Sequence, residues 1–162
     1  MTNRVDQTSL ANTLSCYAFL TNKTFYSFNM SHPLISIITV VYNASTTLEL
    51  TLKSVLSQDK NLFEYWIIDG CSTDGSVDII KKYERSLGGW ISEPDKGIFD
   101  AMNKGIDRVK GEWLFFLGAD DLLVPGILTT IATYLNPKLS VVYGDVMYDH
   151  GGVMRSHIGL RC

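Results

Sequence analysis

Two adjacent carboxylates, Asp120 and Asp121, follow the apolar run Trp113-Leu-Phe-Phe-Leu117 with only Gly118 and Ala119 between. Neighbouring like charges repel, so a divalent cation or solvent has to neutralise them. Mg²⁺ or Mn²⁺ prefers such oxygen ligands and commonly takes one or two carboxylates, with substrate phosphates completing the shell. The competing use is a solvated pair that caps a helix beginning near Pro125, and two residues can serve both ends. A third carboxylate, Asp69, closes the run Tyr65-Trp-Ile-Ile68 and opens the polar loop Asp69-Gly-Cys-Ser-Thr-Asp-Gly-Ser76. Tyr42 and Asn43 close another apolar run. Asn43 and Asp69 each suit either a ligand contact or a local turn. Asp74, just before Gly75-Ser76, suits helix N-terminal amides, with Ser72 as a helper.

Other groups carry weaker chemistry. Lys96 and Lys104 can approach a phosphate or simply face solvent. His32, His150 and His157 stand at no metal-ligand spacing, and no Ser-His-Asp arrangement or phosphate-binding P-loop is present. The loop Tyr42-Asn-Ala-Ser-Thr-Thr47 has no glycine, which argues against a dinucleotide-binding Gly-x-Gly-x-x-Gly turn.

These residues matter only if the chain folds them together. Ile35-Ser-Ile-Ile-Thr-Val-Val41 has no polar face, as expected of a strand buried on both sides of a parallel sheet. Thr46 and Glu49 read as a capping box, followed by Leu48, Leu52, Val55 and Leu56 at helical spacing. The unit repeats: strand Tyr65–Ile68, polar loop, and a helix with Val77, Ile80 and Tyr83 on its face. Trp90-Ile91 is a short third strand. Glu93-Pro-Asp-Lys-Gly97 has turn chemistry ahead of a helix over Phe99–Val109, with Ile98, Met102, Ile106 and Val109 as its stripe. Strand Trp113–Leu117 follows, then a helix with Pro125 in its first turn and Leu128, Ile131, Ala132 and Leu135 on its face. Val141-Val-Tyr143 begins a last strand, and Gly144-Asp145 makes a turn or bulge before Val146-Met-Tyr148. Alternating strands and helices with short links predict a doubly wound α/β sandwich. In open parallel sheets ligands bind beyond the carboxyl ends of the strands, where Tyr42, Asn43, Asp69, Asp120 and Asp121 all lie.

The bulk numbers agree with one packed domain: 162 residues, 46% hydrophobic and 19% charged. Net charge is -3, and no basic field is available for a polyanionic backbone, which argues against nucleic acid as a partner. Cys16, Cys71 and Cys162 are far apart and odd in number, as expected of reduced thiols in a cytosolic compartment. No run approaches the ~18 apolar residues of a membrane span. Residues 1–33 carry only Arg4, Asp6 and Lys23 as charges and show no clean periodicity, which reads as an irregular extension or a segment upstream of a true start at Met30.

Four motifs in order resemble glycosyltransferase family 2: Ile35 to Asn43, Ile68 to Ser76, Pro94-Asp-Lys-Gly-Ile-Phe-Asp-Ala-Met-Asn-Lys-Gly105, and Phe116-Leu-Gly-Ala-Asp-Asp121. The third is especially similar to bacterial transferases of surface-polysaccharide assembly, including the colanic-acid type. The resemblance implies a nucleotide-diphospho-sugar transferase (GT-A) fold, a Rossmann-like three-layer α/β/α sandwich with a mostly parallel sheet, over residues 34–150. It implies that Tyr42, Asn43 and Asp69 hold the nucleoside, that Asp74 supports its loop, and that Asp120, with Asp121 beside it, holds Mn or Mg and the diphosphate. The first Asp of the family's Asp-x-Asp stretch falls on Gly118, so one carboxylate of that pattern is missing. The family continues beyond the Gly144-Asp145 strand into a region that binds the acceptor and supplies a catalytic Asp. The resemblance therefore implies a truncated fold, residues 151–162 being a tail or the start of the missing region, and it places the base on neither Asp145 nor Asp149.

The expected reaction is transfer of a sugar from a nucleotide-diphospho-sugar to a saccharide or lipid-linked acceptor, with inversion. The alternative is a non-catalytic nucleotide-sugar-binding fragment or a partner-dependent subunit. A cytoplasmic location is expected, with peripheral contact at the cytoplasmic face of the inner membrane and a homo-oligomer left open.

Overall fold

The computed structural model describes residues 20–22, 32–139, 141–142, 146–147 and 153–154. In chain order the elements are β1 (Leu20–Asn22), β2 (Ile35–Val41), α1 (Leu48–Leu56), β3 (Phe63–Asp69), α2 (Ser76–Tyr83), β4 (Gly89–Ser92), α3 (Ile98–Ile106), β5 (Trp113–Gly118), α4 (Ile127–Ala132), β6 (Val141–Val142), β7 (Val146–Met147) and β8 (Val153–Met154). A strand without a polar face has to be covered on both sides, and β2 is: every residue but Val40 is buried. It sits between β3 and β5 in a sheet of order β4-β3-β2-β5-β1-β6. The pairings among β4, β3, β2 and β5 are parallel. β1 runs antiparallel to both β5 and β6, and β7 pairs with β8 in a separate antiparallel ribbon.

Side chains alternate between the two faces of a strand, so β2 divides its residues between two apolar clusters. Ile35, Ile37 and Val41 pack with Leu48, Leu52 and Val55 of α1, Ile80 of α2 and Leu128 of α4. Ile38 packs with Ile68, Leu114, Ala101 of α3 and Val109. The result is the three-layer α/β/α sandwich expected from the sequence. The three strand ends that carry Asn43, Asp69 and Asp120 belong to adjacent strands, with Val41 in register with Asp69 and Val40 with Gly118.

Several local expectations are corrected. Of the expected α3 stripe Val109 is buried and Ile106 packs against the same cluster, but the buried residues of the helix itself are Ala101 and Gly105, one turn apart, rather than Ile98 and Met102. A Cβ at Gly105 would lie 2.7 Å from Ile38 Cγ2, so the helix comes close to the sheet only because its contact face is small. Ile98 is displaced to the rim and is 55% exposed. The capping box does not form. Thr47 is the N-cap of α1 and its hydroxyl donates to the Ala44 carbonyl rather than accepting from a helix N–H, and the Glu49 carboxylate is taken by Lys82, at 2.9 Å, and the Tyr83 hydroxyl, at 2.7 Å. These partners, Lys82 first and then Tyr83 and Lys53, hold the Glu49 carboxyl down to about 2. Helix α4 starts at Ile127 behind Gly126 rather than at Pro125, because the left-handed φ of 74° at Gly126 breaks the backbone there. Leu20–Asn22, read from sequence as part of an irregular segment, form a strand beside β5. Asp145, Asp149, His150, His157, Cys16, Cys162 and the Gly144-Asp145 turn lie outside the described residues.

At the end of the sheet away from the polar loops, Glu64 is a half-buried anion held by four donors. Its Oε1 accepts from Ser36 Oγ at 2.7 Å, from the Gly111 N–H at 3.0 Å and from the Lys110 N–H, and its Oε2 accepts from Trp66 Nε1 at 3.2 Å. Burial by itself raises the carboxyl, and the hydrogen bonds from Ser36, Lys110, Trp66 and Gly111 outweigh it, so the group titrates below its ordinary value. A carboxyl depressed in the fold stabilises it above the unfolded pKa, and that contribution disappears as pH falls through the folded pKa. Glu64→Gln is therefore expected to cost about 1–3 kcal/mol at neutral pH, because a charged acceptor of buried donors is weakened. Denaturant titrations of both proteins from pH 7 to pH 3 should show this difference shrinking below about pH 4.5. A pH-independent difference would reject the assignment.

Candidate functional site

The loops after β2 and β3 are stitched together by side-chain to backbone bonds. Asn43 has the left-handed φ of 51°, which Asn tolerates better than most residues. Its N–H donates to Ser72 Oγ at 2.8 Å, and its Oδ1 accepts from the Thr73 N–H at 2.9 Å. The Ala44 N–H donates to Ser76 Oγ at 3.0 Å, and the Ser45 N–H to Asp74 Oδ2 at 2.8 Å. Asp74 Oδ1 accepts from both the hydroxyl and the N–H of Ser76. Donation first from the Ser76 hydroxyl and then from the Ser45 N–H holds this carboxyl well below the usual range. Asp74 thus caps the start of α2 and ties it to the neighbouring loop, the supporting position read from the sequence. Asn43 makes a bridge between loops rather than a turn within its own.

Asp69 ends β3 fully buried. Its Oδ2 accepts from the Ser72 N–H at 3.0 Å and from Ser92 Oγ at 2.6 Å. Its Oδ1 is buried and meets no donor. A buried acceptor left unpaired costs free energy comparable to a lost hydrogen bond, more when charged, and such exceptions call for a reason.

Immediately after Asp69 the chain opens a cleft of about 480 Å³ on the α3 side of the sheet. Its floor is Val40, Val41 and Gly70, one wall is Tyr42, and the other is Pro94, Asp95, Gly97, Ile98 and Ala101. Tyr42 is 70% exposed, so its ring is presented rather than packed. Gly70 has no room for a side chain, since a Cβ there would lie 2.4 Å from Asp95 Oδ2. Asp95 Oδ1 accepts from the Gly97 N–H at 2.8 Å. Lys104 is committed: its Nζ donates to the Pro94 carbonyl at 2.6 Å and pairs with Glu93 at 3.1 Å. Glu93 raises its pKa, and the lysine pins the loop before α3 rather than reaching the cleft. Lys96 is exposed. No lining residue of the cleft is basic.

Asp120 and Asp121 are one strand over, at the end of β5, and do not line this cleft. A Cβ placed on Gly118 would lie 2.7 Å from Asp121 Oδ2 and 2.9 Å from Asp120 Oδ1, so the two carboxylates converge above that glycine. Neither caps α4, whose N-cap is Gly126. Asp121 Oδ2 instead accepts from the Gly118 N–H at 3.2 Å, closing its own turn, while Asp120 is exposed. Among the described residues no three His, Cys, Asp or Glu side chains gather as a metal site.

Motif reading did not single out Ser92 or the polar side of α1, where Thr51, Ser54 and Gln58 bond the segment around Asp120. Their spacing of three and four residues was available in the sequence, yet polar residues among Leu48, Leu52 and Val55 resemble an ordinary helix boundary.

A mostly parallel sheet flanked by helices, with polar loops at the carboxyl ends of its strands, is the architecture of a GT-A-like α/β domain. The chain belongs to the glycosyl transferase family 2, whose model matches residues 36–159. It is 37% identical over 124 residues to a PGL/p-HBAD biosynthesis glycosyltransferase of Mycobacterium tuberculosis, covering 73% of this chain and 48% of the relative. It is 40% identical over 92 residues to the putative teichuronic acid biosynthesis glycosyltransferase TuaG of Bacillus subtilis, covering 55% and 36%. The chain thus spans about half the length, or less, of the curated relatives it matches. Among solved structures, residues 1–349 of S. aureus TarS in complex with UDP-GlcNAc superpose with a TM-score of 0.58 at 28% identity, covering 62% of this chain and 30% of that one. The mannosyltransferase PcManGT of Pyrobaculum calidifontis, in complex with GDP-Man and Mn²⁺, shares the fold with a TM-score of 0.60 at 20% identity over 67% and 34%.

Proposed function

We propose that this chain binds the nucleotide-sugar donor of a glycosyltransferase that builds bacterial surface polysaccharide, passing the sugar with inversion to a saccharide or lipid-linked acceptor. The observation that carries the reading is the buried, partnerless Oδ1 of Asp69, the residue whose chain neighbour Gly70 lines the cleft. It suits a base that offers an N–H. Both Oδ2 positions are taken by Ser72 and Ser92, so one oxygen is left. Guanine pairs with a carboxylate through two parallel N–H groups, whereas uracil and thymine present a single imide N–H. The geometry favours the latter bases. Tyr42 offers its exposed ring to the base, and Asn43, its carbonyl oxygen already used, offers only its amide N–H groups.

The cleft supplies no positive charge, so it suits the uncharged nucleoside better than the diphosphate. Two converging carboxylates fit a hard divalent cation that keeps its remaining positions for phosphate oxygens and water. Asp120 and Asp121 would hold Mn²⁺ or Mg²⁺ there, and a bound ion would offset charge developing on the departing diphosphate. The chain's own groups contribute orientation: Asp69 fixes the base, the stitched loops fix Asn43, and the rigid floor at Gly70 fixes the depth of the nucleoside.

Calorimetric titration with UDP, dTDP and GDP, each with and without Mn²⁺, tests the reading. Binding of UDP or dTDP that tightens with Mn²⁺, with GDP roughly tenfold weaker or more, is expected from the loss of one charged hydrogen bond. Equal affinity for GDP would reject the single-acceptor argument, and absence of any nucleotide binding would reject the donor site. A sugar-transfer assay on the same sample distinguishes a competent enzyme from a binding unit.

A further inference from the structure

Buried polar side chains on an otherwise apolar helix face need partners, since an unpaired hydroxyl or amide loses its hydration for nothing. Thr51 and Gln58 of the α1 segment are 0% and 4% exposed. Aliphatic residues would serve the core there without any such requirement. Both side chains, with Ser54 between them, instead bond the irregular stretch between β5 and α4. Thr51 Oγ1 donates to the Ala119 carbonyl at 2.9 Å. Ser54 Oγ accepts from the Leu123 N–H at 3.1 Å. Gln58 Nε2 donates to the Val124 carbonyl at 3.0 Å, and its Oε1 accepts from the Leu128 N–H at 3.4 Å.

The first two of these bonds bracket Asp120 and Asp121, one at Ala119 directly before the pair and one at Leu123, two residues after it. A stretch without helix or strand satisfies only some of its backbone groups internally, as the Asp121 N–H does with the Gly118 carbonyl, and the α1 segment supplies partners for others from the side. The helix itself is fixed by Leu48, Leu52 and Val55 in the main core. The acidic turn, closed on itself at Gly118, is thereby also anchored to a helix packed in the main core.

We infer that Thr51 and Ser54 are positioning residues: they set the backbone that aims the Asp120 and Asp121 carboxylates. This rests on the reading of that pair as the diphosphate and cation end of the site. A merely structural ladder would affect stability alone. A positioning ladder also controls how well the carboxylates are preorganised, and a loosely held ligand set binds more weakly.

The test uses the whole 162-residue chain and two substitutions with opposite effects. Thr51→Val keeps the volume and removes the hydroxyl; Thr51→Ser keeps the hydroxyl and removes the methyl. Each is measured for thermal midpoint, UDP affinity with and without Mn²⁺, and hydrogen exchange of the amides of residues 119–124. Thr51→Val should lose roughly tenfold of the Mn²⁺-dependent gain in UDP affinity, leave metal-free affinity within about twofold, and exchange faster at 119–124. Thr51→Ser should lower the midpoint yet keep the metal-dependent gain. Ser54→Ala provides the same reading if Thr51→Val does not fold. Metal-dependent affinity that is unchanged in Thr51→Val, or that simply follows the midpoint in both variants, overturns the positioning role. Asp120→Ala is the control: if it keeps the metal-dependent gain, the assignment of the acidic pair itself is wrong, and the positioning role falls with it.

Discussion

Asp69→Asn is expected to abolish most nucleotide affinity while leaving the fold as stable as wild type or more so. The amide oxygen can take the place of Oδ2 and keep both donors, the Ser72 N–H and the Ser92 hydroxyl. That places the NH₂ group where the partnerless Oδ1 now lies. For the free protein the exchange removes a buried charge with an unpaired oxygen, a feature that costs stability. For a uracil base it sets one N–H against another. Losing a hydrogen bond to a charged acceptor is worth about 1.5–3 kcal/mol, or roughly 10- to 150-fold in UDP affinity, and the donor clash adds to this. Cytosine carries an acceptor at the same ring position, so the ratio of UDP to CDP affinity should fall sharply and can invert. Competition titrations with UDP and CDP, set beside thermal melts, check both halves. A variant that loses stability and affinity in parallel, with the base preference unchanged, would mean that Asp69 only holds its loop.

That combination of lower cost and lost function marks a site that the fold does not need for itself. The stitched loops make the opposite case. The backbone N–H and Oδ1 of Asn43, the Asp74 carboxylate and the Ser76 hydroxyl are bonded within the protein, and their bonds tie the Asp69 to Ser76 loop to the loop after β2.

How much of this was legible depended on whether the signal was local. The run Ile35–Val41 announced a central strand because nothing in it could face water, and the ends of the three apolar runs carry the polar groups that the structure brings to one end of the sheet. Their adjacency was not legible, since strand order depends on how helices pack over the sheet. The α3 stripe failed for a related reason. Counting large apolar residues chose Ile98 and Met102, but the helix meets Ile38 and Ile68 through Ala101 and Gly105, and close approach rewards small residues that a hydrophobic pattern ignores. The capping box failed because Lys82 and Tyr83, more than thirty residues away in sequence, compete for Glu49. β1 left no local trace either. Three residues of ordinary composition become a strand only because β5 has an open edge to pair with. The α1 ladder was hidden by the same logic: Thr51, Ser54 and Gln58 acquire meaning from backbone groups about seventy residues downstream.

Asp120→Ala should separate the two ends of the site. Asp120 is exposed and caps no helix, so its removal should leave stability within about 0.5 kcal/mol of wild type, as for surface positions generally. Metal-free UDP affinity, set at Asp69 and Tyr42, should change little. The Mn²⁺-dependent gain should fall by roughly tenfold or more, because half of the carboxylate ligands that the acidic turn offers the cation are lost. Asp121→Ala is predicted to behave differently. Asp121 Oδ2 accepts from the Gly118 N–H, so its loss loosens the turn as well as the ligand set, and both the midpoint and the metal-dependent gain should fall. Gly118 explains why the pair is so placed. With hydrogen in place of a side chain, both carboxylates can lean over the end of β5, where a Cβ would lie within 2.9 Å of each. The Asp found at this position in the family pattern could not be restored without moving them. Titrating Mn²⁺ against the UDP complex of each variant decides the matter: an undiminished metal effect in Asp120→Ala would remove the acidic turn from the site, whatever the cleft beside Tyr42 binds.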